Sequence, residues 1–199
     1  AFILGGQGVG KAALPRLCRE CTQRSAGSKQ RIGQGSGLLL EDPLQRGAAL
    51  QLNFLEVPCS WTEDEFRLSV RDEACCAVLL IDVLRAESYE EALTRGRWAR
   101  SLGIRCQTVL SFAGPCSSLP GPAEAPRAVT RESLEWLASQ VSAVKPAHFE
   151  VIPAARTPAE VYASSVQLQV ELFLEVLTVR LLSTLHEKAS IGPRVLSWV

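Results

Sequence analysis

Short apolar runs of strand length alternate with polar stretches of helical period along this chain, and that alternation predicts its architecture. Residues 1–4 read as a buried strand, followed by a glycine-rich loop and a helix to about residue 21. Pro15 lies in that helix and is tolerated only in a first turn, which predicts a late start or a bend. Residues 22–37 are polar and rich in Gly and Ser, a loop pattern. Residues 38–41 and 49–57 read as the strands of a hairpin, with a turn from Asp42 and Pro43 to Gly47. Residues 63–71 have helical character. Residues 75–83 are apolar almost throughout, without the alternation of a half-exposed strand, so they predict a strand covered on both faces.

A helix over 88–102 follows, with Ser88 as its cap and Glu90 and Glu91 in its first turn. Strand 104–112 leads into a Pro/Gly/Ser loop over 113–127 and a helix over 130–143, capped by Thr130 with Glu132 and Glu135 early. A last strand over 147–152 precedes a long helix over 157–186. Alternating strands and helices with one hairpin predict an α/β fold of three layers. It is a mostly parallel sheet with one antiparallel edge hairpin and helices on both faces. The domain is expected over 1–187, with 188–199 as a C-terminal tail. In such folds the loops leaving the strand ends line one crevice, where ligands bind.

The last helix carries apolar residues on more than one stripe, including Leu168, Leu172, Leu174, Leu177, Leu181 and Leu185. A helix apolar beyond one face requires a second packing partner. The sheet and the tail after Gly192 can supply it; so can another protein subunit docking on 157–186. On the second reading, Leu174 and Leu181 are expected to face the partner.

The candidate chemistry lies in Gly5, Gly6, Gln7, Gly8, Val9, Gly10, Lys11 and Ala12, between the first strand and the first helix. They match the phosphate-loop pattern G-x-x-x-x-G-K-[ST] in spelling and context, except at the last position. The glycines let backbone N–H groups curl around an anion, and Lys11 adds a point charge for the outer phosphates. Ala12 lacks the hydroxyl that holds the Mg²⁺ bridging β- and γ-phosphates. The loop can hold a nucleotide, while its Mg²⁺ site lacks a ligand. With that ligand gone, Lys11 can also turn to carbonyls of its own loop.

Charge narrows the partners. The 21 basic and 21 acidic residues balance, which excludes the electrostatic footprint of a nucleic-acid binder. Seven cysteines in no repeating spacing argue against a disulfide framework and for a reducing, intracellular, cytoplasmic setting. Cys18 and Cys21 form a C-x-x-C without a second pair, so they read as small buried thiols. His148 and His186 stand in no suggestive pattern, and Asp82 reads as structural. No segment predicts membrane insertion, because Glu171, Glu175 and Arg180 break the longest apolar stretch. The chain starts inside its first strand and has no methionine, which predicts a trimmed sequence.

With these elements in place, the chain resembles the small GTPase family of the Ras and Rab type over roughly 1–187. Beside the phosphate loop, residues 78–83 followed by Ala86-Glu87-Ser88-Tyr89-Glu90 are similar to the family's fourth strand and the turn into its third helix. Phe149 to Ala154 sits where the family has its last strand and guanine-side loop. The family's chemistry is not matched. Glu56 falls near the Asp of the Asp-x-x-Gly loop, Cys59 stands at the glycine that meets the γ-phosphate, and Ser60 is too short to orient water. Ser111 to Pro115 replace the base-reading Asn-Lys-x-Asp, and Ile152 to Ala155 retain only an alanine. No switch threonine is identifiable between 22 and 48; Thr22 and Ser36 are the nearest hydroxyls. The resemblance implies a degenerate, pseudo-GTPase member acting as a non-catalytic interaction subunit of an intracellular complex, with protein subunits as partners. Relatives of this kind appear in vesicle traffic, ciliary transport and large cytoskeletal or organellar complexes. The alternative is a divergent GTP-binding switch with weak or no hydrolysis. A small-molecule kinase is a third class, disfavoured because no arginine-bearing lid follows.

Overall fold

A computed structural model describes residues 1–24, 38–41, 49–70, 76–112, 127–142, 147–151 and 159–190. The strands are β1 (Phe2–Leu4), β2 (Leu38–Glu41), β3 (Ala49–Leu52), β4 (Leu55–Glu56), β5 (Cys76–Asp82), β6 (Cys106–Phe112) and β7 (His148–Val151). The helices are α1 (Leu14–Arg24), α2 (Glu63–Ser69), α3 (Ala86–Ser101), α4 (Arg131–Val141) and α5 (Ala159–Ser190). Five strands form one sheet in the order β4-β1-β5-β6-β7, every neighbouring pair parallel. β2 and β3 form a separate antiparallel pair, with Leu38 opposite Leu52.

All seven residues of β5 and of β6 are buried; β5 is apolar up to Asp82, whereas β6 also buries Gln107, Thr108 and Ser111. Side chains alternate across the sheet and separate two cores. On one side Ile3, Val78, Leu80 and Leu110 pack with Leu14 and Cys18 of α1 and Val170, Phe173 and Leu177 of α5. On the other, Phe2, Leu4, Leu79 and Ile81 meet Phe66 of α2, Leu93 of α3 and Leu134 of α4. Helices therefore cover both faces, giving the three-layer α/β fold of phosphate-loop type.

Several expected boundaries move, each for a physical reason. The second hairpin strand, expected over 49–57, is two elements. β3 pairs with β2, while β4 crosses to β1, where Leu55 N donates to Ala1 O at 2.8 Å and Val57 N to Ile3 O at 3.1 Å. One stretch of backbone cannot serve both ladders, so it breaks at Asn53 and Phe54. α1 begins at Leu14 after a 3₁₀ turn over Lys11–Ala13, placing Pro15 in the tolerated first turn. It runs to Arg24, so residues 22–24 are helix; the rest of the expected loop, 25–37, lies outside the described residues.

Ser88 is not the cap of α3, which starts at Ala86 after an N-cap residue, Arg85, that makes no side-chain cap. Instead Ser88 is fully buried: its hydroxyl accepts from Asp82 N at 3.2 Å and lies 2.7 Å from Asp82 O. Asp82 is also buried and its Oδ1 accepts from Leu84 N at 3.0 Å, so the pair shapes the turn leaving β5. Thr130 does cap α4, accepting from Ser133 N at 3.2 Å.

α2 carries a capping box that the sequence reading missed. Thr62 Oγ1 accepts from Glu65 N at 3.3 Å, and Glu65 Oε2 accepts from Thr62 N at 2.7 Å. The backbone and side-chain hydrogen bonds from Thr62 hold the Glu65 carboxyl below its ordinary pKa. A lowered folded pKa stabilises above the unfolded value and loses that contribution as pH falls through the folded one. Thr62→Ala is expected to cost about 1 kcal/mol in chemical denaturation. The same change is expected to lessen, without abolishing, the acid-induced loss of amide protection in the first turn of α2, because the backbone N–H of residue 62 still donates to Glu65 Oε2.

α5 extends past 186 to Ser190, so the boundary expected at 187 falls within a helix, and 191–199 lie outside the described residues. Leu174 and Leu181, expected to face a partner, are only 2% and 4% exposed. The helix packs on β6, β7 and α1 at once, and that broad seat absorbs both leucines. Among the described side chains of α5, Leu168, Leu172 and Val179 are the exposed large apolar ones. Among the described residues, no helix is long and apolar enough to cross a membrane.

Candidate phosphate-loop site

β1 ends at Leu4 and the chain turns sharply through Gly5, Gly8 and Gly10, with φ of 150°, 77° and 87°. Gly10 opens the 3₁₀ turn that carries Lys11. Gly5 also passes close to β5, where a Cβ would stand 2.6 Å from Leu80 O. Only glycine satisfies that position. Val9 anchors the loop from inside, buried among Ile3, Leu80 and their neighbours. Gln7 and Gly8 are exposed.

Lys11 is 5% exposed and points back into its own loop. Its Nζ donates to Gly5 O and to Gly6 O, both at 2.9 Å, and to Cys59 Sγ at 2.8 Å. An ammonium has three protons, so these contacts account for all of its donors. Cys59 follows β4 and is exposed, with Sγ also 3.8 Å from Gly5 O. A buried arginine of α3 holds it there. Arg95 donates from Nη1 to Pro58 O at 3.2 Å and from Nη2 to Cys59 O at 2.6 Å, and its guanidinium lies 5.4 Å from the Trp98 ring centre. Charge-assisted bonds to two successive carbonyls fix the 58–59 backbone, and with it the direction of the thiol.

Two further α3 side chains reach the loop. Arg85, at its N-cap, donates from Nη1 to Gln7 O at 3.0 Å. The Glu91 carboxylate lies against Gly6, where an added Cβ would fall 1.7 Å from Oε2. A guanidinium and a carboxylate thus flank the loop, and each offsets the other's field on an incoming anion.

A nucleotide phosphate and its metal make different demands of these residues. Among the described residues, no backbone acceptor meets the amides of Gln7, Gly8 and Val9, so the backbone part of the cradle fits an anion. The metal part does not fit. Ala12 is exposed and offers a methyl where Mg²⁺ needs a hydroxyl oxygen. No group of three His, Cys, Asp or Glu placed to hold a metal occurs among the described residues.

The structure places residues 5–12 between β1 and α1 and brings Cys59, Arg95, Arg85 and Glu91 to them. Cys59 had a signal only through the resemblance, which set it at the glycine of an Asp-x-x-Gly loop. The α3 residues had none, because a polar helix face looks alike whether it meets water or a loop. Cys18 and Cys21 are both buried in the α1 face of the core, as read. His148 is half-buried, with Nε2 3.0 Å from Ser111 Oγ across β6 and β7, a contact unseen in the sequence. Burial pushes the Cys106 thiol up, against an opposing pull from Arg180. Residues 113–115 and 152–155, where the resemblance expected base-reading loops, lie outside the described residues.

The fold and the loop together define a class, a three-layer α/β protein of phosphate-loop type whose lysine is bonded within its own site. No family model and no curated protein matches the chain.

Proposed function

We propose that the chain is a small-GTPase-like, pseudo-GTPase subunit that acts by protein–protein interaction inside an intracellular complex, and that it does not turn over nucleotide. One observation carries this reading: all three donors of Lys11 are committed to Gly5 O, Gly6 O and Cys59 Sγ. A phosphate that recruited Lys11 would have to displace a contact that the fold already makes. Ala12 supplies no metal ligand, so the charge of an outer phosphate stays uncompensated there. Vesicle or ciliary transport is the setting that the resemblance brings to this reading. Among the described residues of the 157–186 helix, the exposed stripe of Leu168, Leu172 and Val179 is the part left for a subunit contact.

A second reading has its own support. The amides of Gln7 to Val9, which meet no backbone acceptor among the described residues, with Arg85 beside them, are a cradle for a bound but unhydrolysed guanine nucleotide. Denaturing the purified protein and chromatographing the released nucleotide separates the two. The interaction-subunit reading expects none, and GTP at millimolar concentration is expected to leave the melting temperature unmoved. Stoichiometric GTP or GDP in the extract would establish the divergent switch instead, and ATP would point to the kinase class.

A further inference from the structure

The contact between Cys59 and Lys11 joins two nucleophiles, and it offers a chemistry that the phosphate loop does not use. The sulfur and the nitrogen are 2.8 Å apart. The thiol is exposed and beside a cation, the setting in which cysteines are oxidised. The amine is buried, and bonds to two carbonyls hold it beside the sulfur. Arg95 pins the Cys59 backbone from the other side. Cys18, Cys21, Cys76 and Cys106, the other described cysteines, are all buried.

We propose that Cys59 and Lys11 form an oxidative cross-linking site, closed by hydrogen peroxide and reopened by thiols. In the first step the Cys59 sulfur attacks peroxide, the O–O bond breaks, and sulfenic acid and water form. The sulfur is oxidised by two electrons and the peroxide is reduced. In the second step Lys11 loses its ammonium proton to solvent, and its nitrogen lone pair attacks the sulfur. The S–O bond breaks, the hydroxyl leaves as water after taking a proton, and an S–N bond joins the two side chains. Nitrogen attack on a sulfenic acid is an established branch of cysteine oxidation, and here the nitrogen is already in contact. A thiol reverses the link by attacking sulfur and expelling the amine, giving a mixed disulfide that a second thiol reduces. The closed form ties the phosphate loop to the turn after β4 and removes the Lys11 charge, whether or not the loop ever holds a nucleotide.

The test is to treat the purified full chain with hydrogen peroxide, block remaining thiols, and digest with trypsin without reductant. The expected product joins residues 1–16, uncut after Lys11, to residues 47–67, which contain Cys59 as their one cysteine. Its mass is about 2 Da below the sum of the two peptides, for the two hydrogens lost. Dithiothreitol is expected to restore cleavage after Lys11. In Lys11→Arg the linked peptide should vanish, and Cys59 should stop at a sulfenic acid that dimedone traps. Should that variant misfold, the wild-type digest still decides. Cleavage after Lys11 that persists in the oxidised wild-type chain, with Cys59 found as sulfinic acid or unchanged, overturns the proposal.

Discussion

Leu174→Glu is expected to abolish the cooperative unfolding transition, whereas Leu172→Glu, two residues away on the same helix, should barely shift it. Leu174 is 2% exposed and packs in the core shared by α1, α5 and the sheet; Leu172 is 41% exposed. Truncating a buried leucine alone costs roughly 2–5 kcal/mol, and a carboxylate left without a partner in that core adds its desolvation. The sum is about 4 kcal/mol or more, a large part of the 5–15 kcal/mol that stabilises a typical domain. At Leu172 the new carboxylate stays in water, and the change should be within about 0.5 kcal/mol. Urea denaturation of the two variants, followed by circular dichroism, checks both. A larger loss from Leu172→Glu than from Leu174→Glu would mean that α5 is seated the other way round. The pair also guides interface mapping: a subunit contact on α5 is to be probed at Leu168, Leu172 and Val179, because changes at Leu174 or Leu181 break the protein itself.

Gly5→Ala is the second large effect, expected at about 2–4 kcal/mol, combining backbone strain with overpacking. The added methyl would meet Leu80 O at 2.6 Å, and that carbonyl belongs to the central strand β5, which cannot retreat. Two other glycines serve as internal controls. Gly103 also has positive φ, 82°, but a Cβ there meets nothing within 4 Å, so Gly103→Ala registers the backbone term alone, about 1 kcal/mol. At Gly6 the obstacle is the end of the Glu91 side chain, which can rotate away. Thermal melts should therefore rank the losses Gly5→Ala largest and the other two well below it. A Gly103→Ala loss as large as that of Gly5→Ala would show that φ, rather than the approach to β5, governs the loop.

The parts of the chain that were legible have local causes. The nearly unbroken apolar run at β5 announced a strand buried on both faces, since a half-exposed strand would have alternated; β6, with Gln107, Thr108 and Ser111, is as fully buried without that signal. The glycines before Lys11 announced a tight loop between strand and helix, and Thr130 announced a helix start. What proved illegible depended on partners distant in sequence. Ser88 has the chemistry of a cap, yet the turn after β5 claims its hydroxyl. Residues 49–57 have strand character throughout, but only the position of β1 decides that the stretch is shared between two sheets. Leu174 and Leu172 are equally apolar, so composition could not say which of them faces the core.

The same division holds at the site. The identities of residues 5–12 determined, without any structure, that an anion cradle could form and that its metal ligand was missing, because both follow from backbone conformation and from one side chain. Whether Lys11 remains available to a ligand was decided only in three dimensions. Arg95 on α3 sets the turn after β4, that turn carries Cys59 to the lysine, and the contact spans 48 positions of chain. Local propensity is written in neighbouring residues, whereas a donor's choice among acceptors depends on what folding brings within 3 Å of it.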